Sequence, residues 1–510
     1  MRGPHNILRL IRTGATFERT GAMTVALDAV EAPARLRIAL RALVWPFRWM
    51  GYAGDPALPP LTRAITALGP AYIKFGQILS TRADVVGVEL SGQLRMLQDR
   101  LPPFPTDVAQ EIVATELRAP VDTLFSEFSE PVAAASIAQV HRARRADTGA
   151  EVAVKVVRPG IEAAFRRDID AFHFAAGFLE KLLPQTRRLR PRDVVSHFES
   201  VVLGELDLRL EAASASEFTE NTKDDAGIQT PAPHWELSGR RALTADWADG
   251  LPMGDPTALA AAGHDLHQLA TRILQLFLGH ALRDGFFHAD MHHGNLKVAA
   301  NGDVIIYDFG IMGEIDEYTR RVYAEILMGF IRRDYRRVAR VHFEAGYVPR
   351  DRDEAAFARA LRAVGEPIFG ADASRISMAN LLAYLFEVTE RFGMATRTEL
   401  ILLQRTMVVV EGVARSLDPN INMWQAARPV VEAYIRDNLG PKAAVRDGVR
   451  MVQTLGRYSP LLPAILDDAL WERANRAKVT PAPSRKARWQ WPALGAALLA
   501  VGVMLGAALG

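Results

Sequence analysis

Two short segments, Phe286–Leu296 (FFHADMHHGNL) and Val304–Gly310 (VIIYDFG), constrain the fold of this 510-residue chain more than any other feature. Asp290 and Asn295 lie five residues apart in the first, and Asp308 follows Asp290 by 18. Between them, Leu296–Val298 and Val304–Tyr307 read as short strands flanking the turn Asn301–Gly302. A loop and a strand end spaced in this way can bring carboxylate and amide oxygens from two neighbouring loops together, which is the ligand set of a hard divalent cation.

That geometry serves phosphoryl transfer. In kinase-type sites an aspartate orients the acceptor or takes its proton, an asparagine five residues later holds magnesium, and the D-F-G aspartate holds magnesium against the phosphates. Asp290, Asn295 and Asp308 fit those roles. D-F-G alone is too short to be specific, but joined to H-x-D-x-x-x-x-N and a strand–turn–strand it is. A competing reading makes His288, Asp290, His292 and His293 zinc ligands, which leaves Asn295 and D-F-G unexplained. His288 suits a residue that holds the loop, and His292 and His293 suit solvent. Upstream, Glu151–Val157 (EVAVKVV) alternates like a strand and pairs with Ala138–Ala143 around Asp147–Thr148–Gly149. Its Lys155 occupies the place of a phosphate-binding lysine that pairs with a helix glutamate. Glu211 in LRLEAASASEF is the chosen partner; it lies 56 residues on, so helices must be inserted between strand and glutamate.

Composition removes whole classes of function. With no cysteine, disulfides, cysteine-ligated zinc, iron–sulfur clusters and thiol catalysis are excluded. With 61 basic and 59 acidic residues there is no single-sign field to attract nucleic acid. No secretory signal begins the chain. Residues 1–50 hold eight arginines against three acids among apolar residues, and this reads either as a membrane-surface segment or as a basic face packed on the body. Trp491–Gly510 is an uncharged stretch long enough to cross a bilayer, preceded by Arg485, Lys486 and Arg488 and edged by Trp489 and Trp491. Gly502, Gly506 and Gly510 would bare one face of that helix for pairing, as in a homodimer. A buried apolar helix is the alternative.

Further motifs bring a family into view. Lys74, Gly76 and Gln77 in AYIKFGQILSTRAD, the alanine-rich PVAAASIAQVHRA, the triplet Glu205–Leu206–Asp207 and EGVARSLDPN at 411–420, with HAD…GN and D-F-G, together resemble the UbiB/AarF (ADCK-type) family of atypical kinases over about residues 60–420. The resemblance implies that Lys74 and Gln77 lie on a helical extension folded over the site, where Glu205 and Asp207 meet it and keep a protein substrate out. It also implies that Ala133, Ala134, Ala135 and Ser136 replace a glycine-rich phosphate loop. Alanine adds a Cβ that restricts positive φ and close approach of backbone N–H groups to phosphates. Unaided, Lys74 reads as a surface lysine and Glu205 and Asp207 as a solvated acidic pair. The chain departs from the family in placing Met291 and His293 where prolines are usual, which questions the rigidity of the loop.

The resulting expectation is an α+β, bilobal protein-kinase-like fold with an N-terminal helical lid extension and a C-terminal transmembrane helix. Its expected divisions are a basic segment (1–60), a helical extension (61–125), an N-lobe with inserted helices (126–248), a helical C-lobe (249–478), a linker (479–490) and the membrane helix (491–510). The resemblance implies ATP and Mg2+ as cofactors and support of ubiquinone biosynthesis at the cytoplasmic face of a bacterial inner membrane. Membrane lipids or quinone precursors, and quinone-biosynthesis enzymes, are the implied partners. Three readings stay open: an ATPase or small-molecule kinase, a protein kinase acting on biosynthetic proteins, and a nucleotide-gated lipid-binding scaffold.

Overall fold

The computed structural model describes residues 5–29, 34–80, 88–94, 97, 102–182, 191–370, 388, 391–394 and 398–438. The expected linker 479–490, the membrane helix 491–510 and the end of the expected C-lobe lie outside these. Among the described residues no helix is long and apolar enough to cross a membrane. By internal contacts the chain divides after Ile435, and the two motifs and the sheets around them all belong to the first unit, Met1–Ile435.

This unit opens with helices α1 (His5–Thr20), α2 (Ala22–Ala29) and α3 (Ala34–Val44), a 3-10 segment (Trp45–Met50), and then α4 (Pro60–Leu68), α5 (Pro70–Ser80) and α6 (Val88–Leu94). The break between α4 and α5 falls at Gly69, whose φ is 106°, and at Pro70. Next come α7 (Thr106–Leu117), the short α8 (Val121–Leu124), and strands β1 (Phe125–Ala134), β2 (Ala138–Arg145) and β3 (Glu151–Val157). Helices α9 (Ile161–Leu182) and α10 (Pro191–Glu205) are inserted before α11 (Leu208–Thr222), which carries Glu211. Strand β5 (Ala242–Asp246) completes an antiparallel sheet of order β1-β2-β3-β5.

Period-two alternation explains how that sheet is used. Val152, Val154 and Val156 are buried and pack with Ala109, Ile112 and Val113 of α7. Lys155, one residue out of phase, stands on the opposite face. There α4 to α6 share a core with α9 to α11: Leu61, Ile65, Ile73 and Leu94 meet Phe165, Phe198, Leu208 and Ala212. Phe75 of α5 lies between Phe172 and Phe198, with ring centroids 4.9 and 5.0 Å away.

The rest of the unit is mostly helical. A second sheet, β4-β9-β8-β6, joins Ile228–Gln229, Val304–Ile306, Leu296–Val298 and Leu251–Pro252, and β7 (Phe286–His288) pairs with β10 (Met312–Glu314). Around them stand α12 (Pro256–Ala261), α13 (Leu266–Gly279), α14 (Glu317–Ile331), α15 (Tyr335–Glu344), α16 (Glu354–Gly370), α17 (Thr398–Leu417) and α18 (Met423–Asn438). Aspartates start several of the described helices. The side chains of Asp207, Asp255, Asp265, Asp316 and Asp334 each accept a backbone N–H at the start of α11, α12, α13, α14 and α15.

Candidate active site

The pairing of β7 with β10 closes the 18-residue gap between the two motifs. His288 lies opposite Met312, and the Ala289 N–H donates to the Ile311 carbonyl at 3.0 Å. Gly313 makes this approach feasible, because a Cβ there would lie 2.3 Å from the buried Phe287 ring. His288 ties the loops directly. Its Nδ1 accepts the Asp290 N–H at 3.1 Å, which leaves Nε2 to donate to the Asp308 carbonyl at 2.9 Å. Burial lowers its pKa and favours this neutral tautomer. The expected loop-holding role of His288 thus has a concrete geometry.

Without prolines, the loop is held by contacts to the helices around it. Met291 is buried in the helical core, His293 bonds the Ser416 hydroxyl at 2.8 Å, and Thr406 donates to the Ala289 carbonyl at 3.1 Å. Two of these anchors come from α17, more than 100 residues away in sequence. The zinc reading fails: among the described residues no three His, Asp or Glu side chains are grouped closely enough to hold a metal. His292 is exposed; its Nδ1 accepts the Gly294 N–H, and its Nε2 lies 3.6 Å from the Asp290 carboxylate.

Lys155 brings the two halves together. Its Nζ lies 2.8 and 3.0 Å from the two oxygens of Glu211 and 3.1 Å from Asp308. Burial pulls the Lys155 pKa down, but the charges of Asp308 and Glu211 outweigh it and raise it. Desolvation pushes the Asp308 carboxyl up, but the Lys155 ammonium overcomes this and holds it at about 2. For Glu211, burial exceeds the pull of Lys155, and the nearby Asp308 adds to it, so the carboxyl rises to about 7. One ammonium therefore serves two carboxylates, and as Glu211 ionises, around pH 7 and above, the cluster gains a net negative charge that a cation would offset.

Asp308 holds φ at 65°, a left-handed conformation rare for residues other than glycine, asparagine and aspartate. Asn295 is buried and its amide nitrogen donates to the Asp290 carbonyl at 3.0 Å, while its amide oxygen accepts no hydrogen bond among the described residues. The amide oxygen of Asn295 and the ionised carboxylate of Asp308 fit magnesium, which prefers hard oxygen ligands.

The alanine segment forms the β1–β2 turn. Ala133 and Ala134 end β1, the Ala135 N–H donates to the Ala138 carbonyl, and Ser136 is buried. None of the four takes positive φ. Residues that sequence reasoning passed over hold this turn: Arg158 donates to the Ala135 carbonyl at 3.0 Å and to the Pro102 carbonyl at 2.9 Å. Gln139 exchanges hydrogen bonds with the Phe104 backbone and contacts His141 at 2.9 Å. Their signal was two polar residues two apart on a strand, which places both on one face, here fully buried.

In the helical layer, Lys74 Nζ lies 2.7 Å from Glu205, and both side chains are nearly buried. Gln77 donates to the Leu97 carbonyl at 3.4 Å. The expected contact of Asp207 with α5 is not formed. Its carboxylate caps α11 and pairs with the Arg209 guanidinium at 2.6 and 2.8 Å, the ordinary use of an aspartate just before an apolar helix.

Comparison with known proteins settles the family. Residues 96–342 match the ABC1 atypical kinase-like domain and residues 361–422 match the UbiB helical domain. Proteins named "Probable protein kinase UbiB" are 40% identical over 423 residues in Shewanella piezotolerans (82% of this chain, 77% of that protein) and 38% identical over 478 residues in Azotobacter vinelandii (91% and 88%). This chain belongs to the UbiB family of atypical kinases. The structure of Rv3197 with erythromycin from Mycobacterium tuberculosis is similar to it in fold, with a TM-score of 0.50 and 23% identity over 70% of this chain and 87% of that one. The mixed helix and sheet content is that of an α+β, kinase-like fold. UbiB-family membership thus extends well beyond the two loops with which the sequence is first read.

Proposed function

We propose that this chain is a membrane-anchored atypical kinase or ATPase that binds ATP–Mg2+ and supports ubiquinone biosynthesis at the cytoplasmic face of a bacterial inner membrane. The observation that carries this reading is Lys155 held between Glu211 and Asp308, beside a buried Asn295 whose amide oxygen is unpartnered among the described residues. Lys155, steered by Glu211, is the group that meets phosphate oxygens. Asn295 and Asp308 are the residues that would hold magnesium, whose charge offsets that building on a transferred phosphoryl group. Asp290, its backbone fixed through His288 and Asn295, positions the nucleophile. Ala133 to Ser136 close over the phosphate side without positive-φ residues, and Lys74, Gln77 and Glu205 belong to the helical layer expected to exclude a protein substrate. Water or a lipid-like acceptor, such as a quinone precursor, therefore suits the site better than a protein. The apolar Trp491–Gly510 supports the anchor.

The test is ATP turnover by the detergent-solubilised chain with and without quinone precursors, together with the quinone content of cells carrying Asp308→Asn. Asparagine tolerates the 65° φ, so the variant should fold while turnover and quinone content both fall. Quinone content unchanged with turnover lost would favour the scaffold. Stoichiometric labelling of cytosolic protein from radiolabelled ATP would revive the protein kinase.

A further inference from the structure

Large apolar side chains exposed to solvent concentrate in one short run. Ile38, Leu43, Trp45 and Trp49, on α3 and the 3-10 segment, are 70, 67, 66 and 78% exposed. The run is firmly mounted. Arg41 forks onto Glu18 of α1 at 3.1 and 3.2 Å, Arg19 donates to the Gly51 carbonyl at 2.7 Å, and the Tyr52 N–H donates to Thr16 at 3.0 Å. Helix α1 in turn pairs Arg9 with Asp168 of α9, and Thr13 meets Tyr72 of α5 at 2.7 Å. Of the two readings of residues 1–50, α1 thus fits a basic face packed on the body, whereas α3 and the 3-10 segment turn apolar groups outward.

Charge identifies the occupant. Between Ala34 and Met50 stand Arg35, Arg37, Arg41 and Arg48 and no acid. Arg37 and Arg41 are answered by Asp28 and Glu18, whereas Arg35 and Arg48 are exposed and make no ion pair among the described residues. Tryptophans and aliphatic side chains interleaved with arginines are the composition of a bilayer interface, where ring and stem enter the acyl boundary and guanidinium groups meet anionic headgroups.

We propose that α3 and the 3-10 segment dock on an anionic membrane surface, a second attachment separate from the C-terminal tail. The proposal rests on the anchored reading above only in that the anchor holds this surface near a bilayer. Because the chain lacks cysteine, full-length Leu43→Cys and Trp49→Cys can each carry a single nitrobenzoxadiazole label, with Tyr318→Cys, 53% exposed on α14, as the control. Vesicles of phosphatidylcholine mixed with phosphatidylglycerol should blue-shift the labels at 43 and 49 and leave 318 unchanged. Spin-labelled lipid should quench the shifted emission, and salt should reverse the shift. Arg35→Gln and Arg48→Gln should each weaken docking about fivefold.

A chain bound to these vesicles with labels 43 and 49 unshifted overturns the proposal and leaves the anchor standing. A shift without lipid that grows with protein concentration overturns it in favour of a second copy; one independent of concentration overturns it in favour of the chain's own C-terminal residues. Anchoring is scored separately by retention at high salt. Labels that shift at low salt in a chain released at high salt would sink the anchor and uphold this surface.

Discussion

Lys155→Met removes the one ammonium that serves two carboxylates, and the structure assigns each a different consequence. Asp308, held at about 2 by Lys155, is partly open to solvent, its side chain 45% exposed. Its share of the lost stability, discounted for that exposure, is about 1 kcal/mol at any pH above the ordinary carboxylate range. Glu211 is only 10% exposed and already raised to about 7. Without Lys155 its pKa must climb further. An acid whose folded pKa is raised contributes stability that is present below its unfolded pKa and is lost as pH rises through the folded one. In the native chain that loss is complete just above pH 7, whereas in the variant it continues upward at about 1.4 kcal/mol per pH unit. The gap between the two proteins should therefore be about 1 kcal/mol at pH 6 and widen towards the 3 to 5 kcal/mol, roughly, that breaking a buried pair costs. Urea unfolding followed by far-ultraviolet circular dichroism at pH 6 and pH 9 measures this. Adding Glu211→Gln should remove the pH-dependent part. An equal loss at both pH values, or a double variant as pH-sensitive as the single one, would refute the reasoning.

Other outcomes arise from the packing. Gly313→Ala drives a Cβ against the Phe287 ring and should destabilise by about 1 to 3 kcal/mol, with Phe287→Leu in the same chain recovering part of the loss in thermal unfolding. Buried His342 donates to the Val338 carbonyl and resists protonation down to about 4. The unfolded chain takes that proton near 6.5, so stability is lost as pH falls from 6.5 to 4, by up to about 3 kcal/mol. His342→Leu should flatten the acid limb of a stability–pH curve; an unchanged slope would contradict the assignment.

The chemistry-bearing loops were legible because their residues lie within 18 positions of one another and the strands between them are set by a local turn. The Lys155–Glu211 pair was legible across 56 residues because Lys155 stands in EVAVKVV where the V-A-I-K pattern puts a phosphate-binding lysine with a helix glutamate as partner, and α9 and α10 are the insertions that this spacing requires. Strand β1 was not, since Pro131 and three register irregularities hide its alternation. Nor could the sequence show that α17 anchors the Ala289–His293 loop. Thr406 reaches Ala289 and Ser416 reaches His293 across 117 and 123 residues, distances at which no local pattern operates. Asp207 was assigned by position in a motif, when its place before Leu208 already marked it as a cap.

The proposed chemistry turns on Asp308 and Asn295 as ligands of a metal that accompanies ATP. Calorimetric titration of the full chain with ATP, with magnesium and with the metal chelated, in the native protein and in Asp308→Asn, tests it most directly. Tight binding only with magnesium, weakened at least tenfold in the variant, is predicted; equal binding under all four conditions would contradict the assignment of these two residues.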